Sequence, residues 1–323
     1  MSIFGLLNLN KPSGMTSRDA INRVQRLLPR RTKIGHAGTL DPLARGVLVA
    51  SLGPATRLID HVQRMPKSYT GTFLLGRHSP TEDTDGEVQE LVDPVKPTRE
   101  ELVAAAARFV GRIEQQPPAF SALKVAGRRA YDLARAGKKV ELASRPVDIY
   151  RLEVIAYDYP ELTLDVQCGS GTYIRSLGRD LARSLGTEAV MSALVRTAIG
   201  DFAIDHAVDP TTLDESSLAS HLLPPLTAVA ALPRITLTDD EVTEIRHGRT
   251  IAYRPGTMDH AGQAQPDNSL PTAGRLLSAD EGAAIGSSSN LEVVAVDADG
   301  RLVAILVPRY DLHLGPVRNF ISQ

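Results

Sequence analysis

Hydrophobic residues along this chain recur with two periods, one of two and one near three and a half, and segments of the two kinds alternate irregularly. That irregularity constrains the fold more than any other feature. Helical spacing is seen in Ala20, Ile21, Val24, Leu27 and Leu28, which follow the cap residues Thr16 and Ser17 and stop at Pro29. It returns after a Thr98–Glu101 capping box, in a helix expected to end at Gly111, and in Leu177, Leu181 and Leu185 before Gly186. Another helix is expected from Ala55 to Met65. Strand character marks FGLLNLNKP, SYTGTFLLG and residues 146–157 and 161–168, and an apolar stretch, GVLVASLG, lies between the first two. A strict strand–helix alternation would predict a doubly wound parallel sheet. This order predicts the α+β class instead, a mixed, largely antiparallel sheet with flanking helices.

Past about residue 230 the character changes. A capping box at Thr238 and Glu241 opens a short helix ending near Gly248, and EVVAVDADGRLVAILVP reads as a hairpin around Asp299-Gly300. Two units are therefore expected, 1–230 and a small β-rich unit over 231–323. Within the second, residues 255–274 (PGTMDHAGQAQPDNSLPTAG) are polar and rich in Gly and Pro, which marks an inserted loop.

With 323 residues and 42% hydrophobic content the chain is expected to be globular. Its single cysteine, Cys168, excludes an internal disulfide framework and a thiolate-rich metal site. No basic n-region precedes the first apolar run and no apolar run is long enough to cross a bilayer, so a soluble, cytoplasmic protein with no membrane partner is expected. The net charge of −2 conceals a polar distribution. Residues 1–67 hold 11 Lys/Arg against 3 Asp/Glu, residues 108–151 hold 10 against 4, and residues 201–323 hold 8 against 17. Such asymmetry is the footprint of a molecule of which one part faces phosphates. On the first predicted helix Arg18, Asn22 and Arg26 lie opposite the apolar stripe. Such a face ordinarily just meets solvent, and near a phosphate chain it would do more.

Residues 33–46, KIGHAGTLDPLARG, are almost all turn formers, charges or small residues and cannot be a packed core segment. The stretch lacks the spacing and the following lysine of a phosphate-binding P-loop. His36 and Asp41 have no second histidine or carboxylate cluster nearby to complete a metal site. CGSGT fails the last position of a hydrolase nucleophile elbow. Two readings of Asp41 remain from the residues alone: a cap before Pro42, or a carboxylate that acts on a substrate.

Four segments in order, GHAGTLDPLARG, KSYTG, GSGTYIR and ALVR, resemble the motifs of the bacterial TruB family of tRNA pseudouridine synthases. The resemblance extends through NLNKPSGMTS, PPAFSALKVAGRRAYDLARAG and RPVDIY, covering residues 3–200, with a looser match from 231 onward. It implies the pseudouridine synthase fold with a PUA-like RNA-binding domain at the carboxy end, and an isomerase that turns the T-loop uridine at tRNA position 55 into pseudouridine. That reaction breaks and re-forms a glycosidic bond and requires no cofactor, metal or ATP. By position, the resemblance makes Asp41 the catalytic carboxylate, Arg175 its partner and Tyr69 the tyrosine lying against the target base. It makes His36 the ring that stacks where a flipped nucleotide had been, puts Tyr173 and Leu194 in the uracil pocket, and sets Lys11 near the site. Lys124, Arg128, Arg129 and Lys138 would contact RNA phosphates. The expected partner is the tRNA T stem-loop, with no obligate protein partner evident. The net acidic charge past residue 201 departs from a domain built to grip phosphates. A tRNA-folding chaperone with little catalysis is the competing reading, and metal-free RNA hydrolysis would need an acid/base pair that the sequence does not reveal.

Overall fold

The computed structural model describes residues 3–121, 123–125, 128–129, 142–254, 258–259, 291–310 and 312–320. Strand β1 (Gly5–Lys11) leads into helix α1 (Ser17–Arg26), and β2 (Ile34–His36) into β3 (Arg45–Leu52). Helix α2 (Ile59–Arg64), strand β4 (Lys67–Leu75) and the short strands β5 (Arg77–His78) and β6 (Gln89–Glu90) come next. Helix α3 (Arg99–Ala107) is followed by β7 (Gly111–Gln115), β8 (Lys124–Val125), β9 (Arg128–Arg129) and the hairpin of β10 (Arg145–Asp158) with β11 (Glu161–Cys168). Helix α4 (Ile174–Arg183) precedes β12 (Ala189–Ile199) and β13 (Phe202–Ala203). The carboxy-terminal part holds β14 (Arg234–Thr236), helix α5 (Asp239–Arg246), β15 (Ile251–Ala252), β16 (Met258–Asp259), β17 (Val293–Val296), β18 (Leu302–Arg309) and β19 (His313–Asn319).

The first sheet runs β1-β3-β12-β4-β11-β10-β7, with β2 paired to β3 and β13 to β12. Its pairings are antiparallel apart from β12 with β3. The class is α+β with a mixed, largely antiparallel sheet. The second sheet runs β15-β19-β18-β17-β14-β16. Its hairpin turns at Asp299-Gly300, pairing Val296 with Leu302.

Strand β3 is continuously apolar from Val47 to Ala50 because both of its faces are covered. Leu48, Ala50 and Leu52, with Leu7 and Leu9 of β1, pack under Ala20, Ile21 and Val24 of α1. On the opposite face Val47, Val49 and Leu6 meet Val294, Ile305 and Phe320 of the carboxy-terminal part. Each such aliphatic side chain contributes about 1.5–3 kcal/mol on leaving water. Further along the sheet, Phe73, Leu162, Leu164 and Val166 alternate inward beneath Leu102 of α3 and Leu177 and Leu181 of α4. Helix α4 approaches closely at Gly178, where a Cβ would fall 2.0 Å from the Phe73 ring. The two expected capping boxes close at Thr98 and Thr238, and Thr16, expected as a cap, forms a third with Asp19.

The structure also departs from expectation. The predicted helix over 55–65 divides into a 3-10 segment, Gly53–Leu58, and α2, because Gly53 enters at φ +61° and Pro54 opens a tighter turn. Helix α3 ends at Ala107, and Gly111, at φ +105°, opens β7 instead of closing the helix. Most of the insertion expected at 255–274 lies outside the described residues, but Met258 and Asp259 are strand residues paired with Ile235 and Arg234. No described helix is long and apolar enough to cross a membrane.

Candidate active site

The turn after β2 is held by the segment that joins β1 to α1. The Ser17 hydroxyl lies 2.8 Å from the Leu40 amide and 3.0 Å from the Leu40 carbonyl. The Gly14 amide donates to the Pro42 carbonyl at 2.8 Å, and the Ser13 hydroxyl to Leu43 at 2.9 Å. Lys11 is fully buried, its ammonium donating to the carbonyls of Met15 at 2.5 Å and Pro12 at 2.9 Å, with Pro42 at 3.5 Å. These contacts explain why NKPSGMTS and GHAGTLDP are both polar and turn-forming: each satisfies the other's backbone. Lys11 thus lies beside the site, as expected, with no exposed surface, bonded to the turn that carries Asp41.

Asp41 stands at the mouth of a cleft of about 420 Å³, lined by Tyr69, Tyr173, Arg175 and Leu194 together with Lys67 and Arg196. Arg175, in the first turn of α4, places Nη2 3.0 Å from Asp41 Oδ2. The same guanidinium lies 3.4 Å from Asp83 and donates to the carbonyls of Thr81 at 2.7 Å and Phe120 at 3.1 Å. The Arg175 side chain is 7% exposed and Asp41 40%, so a held cation faces an open carboxylate. Asp83 comes from the acidic turn TEDTDGE, which folds inward: the Thr84 amide donates to the Met191 carbonyl, the Met191 amide donates to the Glu82 carbonyl, and Glu82 pairs with Arg179 of α4. Burial raises the carboxyl groups of Glu82 and Asp83, against the pull of the α4 arginines.

The start of α4 is clamped by Gln115 at the end of β7. Its side chain accepts from the Tyr173 amide at 2.8 Å and donates to the Tyr173 carbonyl at 3.0 Å. The Tyr173 ring lies under the Arg145 guanidinium, 5.0 Å from the ring centre.

Tyr69 of β4 is paired across the sheet with Arg196 of β12. Burial pushes its phenol above the ordinary range, with Arg196 opposing, so the phenol keeps its proton at neutral pH. Arg196 is 2% exposed and donates to the carbonyls of Val47 at 2.7 Å and Gly38 at 3.1 Å. It thereby ties the Asp41 turn to the central strands. The neighbouring Gly46, at φ +106°, has no room for a Cβ, which would stand 2.3 Å from the Arg196 carbonyl. Lys11 and Lys67 are each lowered to about 8, chiefly by burial, with Arg196 adding to the effect and Asp41 opposing it at Lys11. At about 8 both lysines remain mostly protonated at pH 7, and Lys67 and Arg196 line the cleft.

Of the expected residues, the fold brings Asp41, Tyr69, Tyr173, Arg175 and Leu194 to this one cleft. His36 is not among the lining residues. It sits on β2 paired with Ala50, half-buried, and burial with Arg18 lowers its imidazole, which is neutral at pH 7. Lys124, Arg128 and Arg129 fall on the paired strands β8 and β9, whose side chains lie outside the described residues, as does all of Lys138. Sequence reasoning missed Arg196, Gln115 and Asp83. Arg196 lies in ALVR with Leu194, but its bonds go to backbone carbonyls, so no partner residue in the sequence points to it.

Residues 25–174 match the model of the TruB family pseudouridylate synthase amino-terminal domain. The chain is 41% identical over 263 residues to a tRNA pseudouridine synthase B of Caulobacter vibrioides, covering 80% of this chain and 84% of that protein. It is 36% identical to the Dehalococcoides mccartyi protein of the same name, covering 99% and 97%. Among solved structures, an H/ACA RNP bound to a substrate RNA containing 2'-deoxyuridine superposes with TM-score 0.69 at 22% identity, covering 99% of this chain and 86% of that one. A Cbf5-Nop10-Gar1 complex gives 0.68 at 23%, covering 99% and 84%. At this identity the likeness is one of fold.

Proposed function

Because the chain belongs to the TruB family of pseudouridylate synthases, we propose that it converts the T-loop uridine at position 55 of tRNA to pseudouridine, with Asp41 at the reacting centre. The protein is a tRNA pseudouridine synthase, an isomerase. The bond from uracil N1 to ribose C1' breaks, the base turns, C5 joins C1', and the C5 proton is exchanged for one on N1. Asp41 serves as nucleophile or as the counter-charge to the sugar cation, the two roles that carboxylates take in glycosidic chemistry. Arg175 orients it. Tyr69 and Leu194 bracket the base, and Arg196, beside the phenol, favours the phenolate as a proton moves to or from it. His36 fills the stack left by the flipped nucleotide, for which a neutral ring is suited. Lys124, Arg128, Arg129 and Lys138 hold phosphates, and residues 231–323 form a PUA-like unit that extends the RNA contact beyond the catalytic unit of 1–230.

The observation that carries the reading is the contact of the buried Arg175 with Asp41 at the mouth of a cleft that also holds Tyr69. The test compares wild type with Asp41→Asn on an unmodified tRNA transcript, scoring pseudouridine and RNA binding together. Conversion by wild type, and binding without conversion by the variant, supports the proposal. Binding without conversion by wild type replaces it with an RNA-folding chaperone.

A further inference from the structure

The stretch 18–33 carries Arg18, Arg23, Arg26, Arg30, Arg31 and Lys33 against one acidic residue, Asp19. All six cations are exposed, and none makes a salt bridge or side-chain hydrogen bond among the described residues. Asp19 is engaged by the Thr16 cap, with Arg23 close enough to act on its charge. At 3.6 residues per turn, Arg18, Arg26 and Arg23 spread over an arc of about 140° centred opposite the buried stripe of Ser17, Ala20, Ile21 and Val24. Arg30, Arg31 and Lys33 continue the charge through the connection to β2. Solvation needs no such concentration in a chain whose net charge is −2.

The segment that carries the patch is tied at both ends to the turn that presents Asp41. At its start Ser17 grips Leu40 beside Asp41, and Arg18 lies near enough to His36 to disfavour its imidazolium. At its end Lys33 passes into β2 and so into the turn that presents Asp41. None of the six cations lines the cleft itself, so the patch is a surface separate from it. Among its exposed positions Pro29 alone is apolar, so the patch offers no anchor for a bilayer or for the apolar core of a protein interface. The charge suits a solvated phosphate backbone.

We infer that the exposed face of α1 and the connection to β2 form a second phosphate-binding surface, which holds the backbone of the tRNA substrate outside the target loop. The inference rests on the tRNA reading above. Its test is the salt dependence of binding to a full-length tRNA transcript, for wild type and for the triple variant Arg23→Gln/Arg26→Gln/Arg30→Gln. Loss of three phosphate contacts makes the slope of log K against log salt shallower by about 3 and weakens binding at moderate salt. The charge-conserving triple variant Arg23→Lys/Arg26→Lys/Arg30→Lys retains the wild-type slope. Equal slopes for wild type and the glutamine variant overturn the inference, and so does a lysine variant that binds as weakly as the glutamine one. Pseudouridine formation by wild type is scored on the same transcript. Its absence brings down the isomerase reading, whereas the slopes alone decide the surface.

Discussion

One guanidinium serves two carboxylates at Arg175, and their environments set opposite consequences for losing it. Asp83 is 6% exposed and Asp41 40%. Arg175→Met leaves Asp83 buried beside an apolar chain, which costs about 3 kcal/mol or more of stability. Asp41→Asn removes an open charge and changes stability by less than about 1 kcal/mol. Adding Asp83→Asn to Arg175→Met is expected to restore much of the stability and none of the activity, as urea denaturation and pseudouridine assays of the three variants would show. A double variant no more stable than Arg175→Met would mean that Arg175 stabilises through the Thr81 and Phe120 carbonyls instead. Asp41, Arg175 and Tyr69 were legible in the sequence because family motifs fix their positions. Asp83 was not, since an acidic turn looks the same whether its carboxylates meet water or a helix. Arg196 bonds to backbone carbonyls, which every residue carries, so no partner residue betrays it.

Among the elements, those with one dominant local cause were readable: the capping boxes, the alternation in β4 and β11, and the twice-covered run of β3. Less readable were the places where two elements meet. Gly46 looks like a turn glycine in PLARG, yet its space is taken by the backbone of Arg196, a residue 150 positions away. Gly178 looks like a weak point inside a helix, but it is where α4 settles on Phe73. Gly46→Ala combines a Cβ clash on backbone with a φ of +106°, whereas Gly178→Ala meets a side-chain ring that can turn. Both are overpacked, in the range of about 1–3 kcal/mol, with Gly46→Ala the larger loss. Denaturant midpoints at constant m-value measure the order. The reverse order would indicate that the Phe73 ring is the more rigid neighbour.

Across the whole molecule the two sheets share a core, with Leu6, Val47 and Val49 against Val294, Ile305 and Phe320, and Phe4 stacked on Phe320 at 5.6 Å. Polar contacts close its edge: Glu292 pairs with Arg64 and hydrogen-bonds the His61 imidazole, and Arg318 pairs with Asp60. Protons on buried groups therefore act on the stability of one connected body. Lys11 and Lys67 have folded values near 8 against an ordinary 10.5, so between those limits the unfolded chain binds more protons than the folded one. Stability then rises with pH, and from pH 8 to pH 9 by about 1 kcal/mol for each lysine. Above pH 9 Cys168 opposes the rise, because burial holds its thiol at about 11 and only the unfolded chain ionises there. On the acid side burial lowers His36 and His61, so stability is lost as pH falls below 6.5. Urea unfolding at pH 5.5, 8, 9 and 10 is expected to trace a limb that climbs from pH 8 through pH 10, with Cys168 offsetting less than half of the lysines' gain above pH 9. Lys67→Met should roughly halve the climb from 8 to 9, because one of its two sources is gone, and Cys168→Ala should steepen the rise above pH 9. A wild-type curve that falls between pH 8 and 9 would require that both lysines keep their protons when folded, and that the surroundings of Lys11 and Lys67 are far wetter than their burial implies.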